Sequence, residues 1–142
     1  MGVWKLMAVA AILMGCGSDA SAAALKGSVT YGKSGGIAGV VQKLTVRPDG
    51  RAIAASATRK RSFTLSKAQL TALAKAVKAA DLAHTKSPKA NVQGADGFSF
   101  GVGYDSHRVA WSDFSDDPPK RVLTLYRLLD DLYESHAPAP AH

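Results

Sequence analysis

Cys16 is the only thiol in this chain of 142 residues, and His84, His107, His136 and His142 are its only imidazoles. A single cysteine leaves no partner for an intramolecular disulfide and no cysteine-based zinc signature. No two histidines stand four residues apart, so no helix carries a two-histidine metal face. His107 falls in a strand pattern beside a turn, where a surface or partly buried role is expected ahead of catalysis. A serine nucleophile needs a sharp strand-to-helix elbow, and Gly97-Phe98-Ser99-Phe100-Gly101 lies inside an alternating strand instead. Gly101 and Gly103 have no helix after them and do not form a dinucleotide loop. Asp116-Asp117 reads as a helix start and Asp130-Asp131 as a solvated face, and the aspartates lack calcium-loop spacing. No catalytic residue, metal ligand set or cofactor is therefore expected, and the chain reads as a non-enzyme.

The chemistry that Cys16 does suit is acylation. One positive charge, Lys5, precedes an apolar run from Leu6 to Met14, the layout of a secretory signal. The run is too short to span a bilayer, which takes about 20 apolar residues. It ends in Leu13-Met14-Gly15-Cys16, which resembles the bacterial lipobox. That resemblance implies cleavage after Gly15 and diacylglycerol on the Cys16 thiol, usually with a third chain on the new amino group. Two or more chains anchor stably, each buried methylene adding about 0.8 kcal/mol. The other reading is an ordinary signal peptide with a chance cysteine. With an outer membrane in the host, Gly17 in place of aspartate favours that membrane as the destination.

These segments set the expected organisation. Residues 1–15 are the signal peptide and 16–25 the lipidated cysteine and flexible tether. Residues 26–136 form one domain, and 137–142, Ala-Pro-Ala-Pro-Ala-His, a disordered tail. Removal of residues 1–15 takes away Lys5 and lowers the formal charge from +7 to +6. The charge is uneven. From Lys43 to Lys89 the only acids are Asp49 and Asp81 among a series of lysines and arginines, whereas Asp96 to Glu134 is rich in aspartate. A dipolar surface of this kind steers partners; the plainer reading is solubility and attraction to anionic lipid. Nucleic acid is not an expected partner, since the basic residues lie in no recognition fold.

Strand patterns run from Leu25 to Tyr31, Val40 to Arg47 and Arg51 to Ala57, with Phe63 and Leu65 as a candidate extension of the last past the basic bend Arg59-Lys60-Arg61. Gly32-Lys33-Ser34-Gly35-Gly36 reads as a loop and Pro48-Asp49-Gly50 as a turn. Ser66 and Gln69 make a capping-box pattern before a helix with Leu70, Leu73, Ala74 and Val77 on its buried stripe, ending near Asp81 or Leu82. Phe98 to Tyr104 and His107 to Ser112 alternate around an Asp105-Ser106 hairpin turn. Asp116-Asp117-Pro118-Pro119 starts a second helix with Val122, Leu125, Leu129 and Leu132 on one face. The expected fold is α+β: an antiparallel sheet of about four to five strands with two main helices packed on one face.

Three segments carry a further likeness: Gly35-Gly36-Ile37-Ala38-Gly39 after the first strand, Gly94-Ala95-Asp96-Gly97-Phe98-Ser99-Phe100, and His107-Arg108-Val109 leading to an acidic, proline-containing helix start. In this order, with a capped helix between them, they resemble emfourin-like proteins, inhibitors of thermolysin-like metallopeptidases such as protealysin. The likeness covers most of residues 26–135. It implies a protein that occludes the cleft of a secreted thermolysin-like zinc peptidase; together with the lipobox-like segment, which is a departure from that family, the expectation is a lipid-anchored envelope inhibitor. The candidate binding element is Gly35, Gly36, Ile37, Ala38 and Gly39, with Ile37 suited to an apolar pocket. The competing reading of that segment is a plain turn with Ile37 packed inward. A different function remains open: a structural or adhesion lipoprotein whose Arg59, Lys60 and Arg61 bind anionic lipid or cell-wall polymer.

Overall fold

The computed structural model describes residues 25–89 and 97–137. Six strands make one antiparallel sheet: β1 Val29–Gly35, β2 Val40–Val46, β3 Arg51–Ser56, β4 Lys60–Thr64, β5 Phe98–Tyr104 and β6 His107–Ser112. Their order across the sheet is β4-β3-β2-β1-β5-β6, so β1 lies inside, paired to β2 on one side and β5 on the other. Helix α1 spans Lys67–Ala80 and helix α2 spans Lys120–His136, with a 3-10 turn at Leu82–His84 following α1. The class is the expected mixed α+β, with six strands in place of four to five. The difference arises at the basic bend: Lys60–Thr64 turns back and pairs with β3 from Arg51↔Thr64 to Ala55↔Lys60.

Register follows side-chain alternation. Val29, Tyr31, Leu44, Val46, Ala52, Ala54, Val102, Val109 and Trp111 point to one face and are buried against Leu73, Ala74 and Val77 of α1 and Val122, Leu125 and Leu129 of α2. The two helices also pack on each other, and Arg121 Nε donates to the Ala80 carbonyl at 3.0 Å, satisfying an acceptor at the end of α1. The capping box is formed: Gln69 N–H donates to Ser66 Oγ at 3.1 Å and Ser66 N–H to Gln69 Oε1 at 2.8 Å. α1 ends at Ala80, where Asp81 takes a left-handed conformation as C-cap.

Two expectations shift, and the buried face of β3 is decided. Gly32-Lys33-Ser34 is strand, because hydrogen bonding on both flanks of β1 outweighs the weak strand preference of glycine. In β3 the buried side chains are Ala52 and Ala54, while Ile53 faces the uncovered side of the sheet. Asp130 is half-buried and accepts a hydrogen bond of 2.5 Å from the hydroxyl of buried Tyr31. Burial and that carboxylate hold the Tyr31 phenol far above its usual range, and burial chiefly pushes Tyr126 up to about 12. Both therefore stay neutral and act as packing and hydrogen-bonding groups.

Candidate functional site

The β1–β2 hairpin ends in Gly36-Ile37-Ala38-Gly39, closed by Gly39 N–H donating to the Gly36 carbonyl at 3.1 Å. Ile37 and Ala38 occupy the two central positions of that turn. Ile37 is 90% exposed, more than any other large apolar side chain among the described residues, which removes the reading in which it packs inward. An isoleucine held in water forgoes about 1.5–3 kcal/mol of burial free energy until something covers it.

The base of the hairpin is anchored. Gly36 N–H donates to the Gly97 carbonyl at 3.3 Å. Gly35 and Gly36 have φ of +117° and +76°, and a Cβ at Gly36 would stand 2.9 Å from the Phe98 ring edge. Both positions therefore require glycine for conformation as well as for space. Phe98 is held in turn, its N–H donating to the Asp113 carboxylate at 2.8 Å and its carbonyl accepting from Asp113 N–H at 3.0 Å. Lys33 Nζ sits 5.3 Å from the Phe98 ring centroid. The ring of Phe114 fills the space where a side chain on Gly97 would stand. Thus Gly97 and Phe98, from the second of the three sequence segments, are brought directly beneath Gly35 and Gly36 from the first. Gly94, Ala95 and Asp96 lie outside the described residues, as do Cys16, the tether through residue 24 and residues 138–142.

Arg59, Lys60 and Arg61 do not form one patch. Arg59 precedes β4, while Lys60 and Arg61 alternate, Lys60 to the uncovered face and Arg61 to the helix side of an edge strand. Charge on a short edge strand blocks addition of a further strand, a structural role open to Lys60 and Arg61.

His84 pairs with Asp81 at 2.8 Å, His136 stacks on Phe63 at 3.9 Å between centroids, and His107 is exposed at the start of β6. Among the described residues, no three His, Cys, Asp or Glu side chains are placed to hold a metal ion, and no helix is long and apolar enough to cross a membrane. Sequence reasoning missed the support of the hairpin by Phe98, Asp113 and Phe114; the signal available was the glycine at 97 ahead of an aromatic strand. Comparison with protein-family models and with curated proteins finds no match.

Proposed function

We propose that this chain is a lipid-anchored envelope protein that binds a thermolysin-like zinc metallopeptidase and inhibits it by occluding its cleft with the β1–β2 hairpin. The observation that carries this reading is Ile37, a branched apolar side chain presented to solvent on a turn fixed by its own closing hydrogen bond, three positive-φ glycines (Gly35, Gly36 and Gly39) and the Phe98 ring. Ile37 enters an apolar substrate pocket, and little further ordering of the hairpin is needed on binding. A peptidase cleaves chain laid out extended across its catalytic centre. The closed turn does not extend without breaking the Gly39–Gly36 and Gly36–Gly97 hydrogen bonds, so the loop blocks the cleft and resists cleavage. The emfourin-like order of motifs is consistent with this mechanism.

The anchor belongs to the same proposal. Cys16 precedes Leu25 by nine residues, a tether reaching at most about 30 Å. The chain enters β1 at Val29 and the binding turn follows Gly35, at the opposite end of the strand, about 20 Å away. A domain held by its N-terminus therefore presents Ile37 away from its tether.

The test is an inhibition assay with the chain from residue 17 and a thermolysin-like peptidase. Competitive inhibition at or below micromolar concentration, lost on Ile37→Asp, supports the proposal. Full peptidase activity at micromolar concentrations of the folded protein removes it for that enzyme.

A further inference from the structure

The sheet face opposite the helices is the second surface with unspent chemistry. None of the six strands contains an aspartate or glutamate. On this face, against which no helix packs among the described residues, the register places Lys60, Ala55, Lys43, Gly32, Gly101 and Ala110 in one row that crosses all six strands. Lys60 and Lys43 are two strands apart, roughly 10 Å at the usual interstrand spacing. Two strands further on, over Gly101, lies a third cation. Arg108 folds inward from β6, so that a Cβ on Gly101 would meet its guanidinium at 2.5 Å from Nη2, and one on Gly32 would stand 3.9 Å away. The row thus carries three positive side chains, Lys60 and Lys43 two strands apart and the Arg108 guanidinium between Gly101 and Gly32. Between Lys43 and Arg108 lies a groove of about 430 Å³ whose lining also includes Ser34, Ser99, Ser112 and Pro88. Those three serines form the neighbouring row, Ser34↔Ser99↔Ser112. Among the described residues neither Lys43, Lys60 nor Arg108 is ion-paired.

We infer that this face binds a linear polymer of phosphodiester-linked polyols, laid across the strands along the Lys60–Lys43–Arg108 row. A row of cations across the strands attracts a polyanionic chain, and hydroxyls beside them donate to phosphate oxygens. Phe100 and Trp111 also line the groove, but their rings alternate to the helix face and pack on Tyr126, so the strand positions opposite the helices hold no aromatic residue on which bases or neutral sugar rings would stack. A recessed guanidinium on a glycine floor admits a slender chain, whereas a membrane surface meets projecting cations. The surface is separate from the Ile37 turn and the inference does not depend on peptidase inhibition.

The experiment is a titration of the full chain, held in nonionic detergent, with poly(glycerol phosphate), with oligothymidylate and with mixed micelles containing phosphatidylglycerol. Saturable binding is expected for poly(glycerol phosphate), at least tenfold tighter than for the other two. The logarithm of its affinity should fall with log salt at a slope of about −2, since roughly 0.7 counterions are released per contacted phosphate. Lys43→Gln and Arg108→Gln should each weaken binding about fivefold or more and reduce that slope. Lys78→Gln, on the exposed side of α1, should leave both unchanged. All four proteins should melt alike, because the substituted side chains are exposed. Absence of saturable binding to poly(glycerol phosphate) at low salt overturns the inference. So do equal affinities for the Lys43 and Arg108 variants, or a preference for the phosphatidylglycerol micelles.

Discussion

Ile37 and Tyr31 show how two side chains of one hairpin strand and its turn are put to opposite uses. Ile37 is left in water at the tip, and Tyr31, six residues earlier, is fully enclosed with its hydroxyl on Asp130. Replacing Ile37 by aspartate should raise the inhibition constant at least tenfold without altering unfolding in urea, because the side chain touches no core. Ile37→Leu should stay within a few-fold, since the apolar contact is retained. Tyr31 makes a pH prediction with a definite sign. Its ionisation is raised in the folded state, so above pH 10 the unfolded chain releases the phenol proton and the native chain keeps it. Stability is then complete below about pH 10 and declines above it, by about 1.4 kcal/mol per pH unit for this group. Urea unfolding of the wild-type protein and Tyr31→Phe at pH 9 and pH 11 measures this. The variant should be weaker by about 1.5 kcal/mol at pH 9 and should lose less on going to pH 11. An equal loss in both proteins would reject the assignment to Tyr31.

At the scale of elements, the β1–β2 hairpin is braced by Phe98 at the start of β5 and by Gly97 just before it. Gly36→Ala places a Cβ 2.9 Å from the Phe98 ring at a φ of +76°. It should cost about 1–2 kcal/mol in unfolding experiments and weaken inhibition although Ile37 is untouched. Helix α1 offers a control remote from the turn. Ser66→Ala removes the acceptor of Gln69 N–H and should cost about 1 kcal/mol with no change in inhibition. The capping box, both hairpins at the turns around Asp49 and Asp105, and the buried stripes of both helices were legible in local pattern. The extent of β1 was not. Gly32 and Gly35 are poor strand residues in isolation and become strand because β2 and β5 pair with them on both sides. The face of β3 was equally hidden, since alanines on alternate positions carry almost no hydrophobic contrast, and Ile53 lies on the side without a covering helix.

For the whole molecule, the one-sided layering separates three tasks: a core under the helices, a turn at one strand end and an open cationic face. The proposed anchor adds a fourth at the N-terminus. Cys16→Ser should abolish lipid labelling and release the protein from the membrane fraction on expression in a bacterial host; membrane retention equal to that of the wild type would remove the anchor from the proposal. Sequence alone determined the capping box of α1, the alternation of the strands, the lone thiol in its lipobox-like setting and the lack of a familiar catalytic spacing. These depend on neighbours a few residues apart. By contrast, α2 starts at Lys120 behind Pro119, without the acidic first turn expected of Asp116-Asp117. Only the tertiary structure decided that Ile37 faces water, that Gly97 and Phe98 support it, that Arg59-Lys60-Arg61 divides between two faces, and that Lys60, Lys43 and Arg108 fall on one line. Those relations depend on strand register, which brings residues as distant as 43 and 101 into one row through hydrogen bonds that no local pattern encodes.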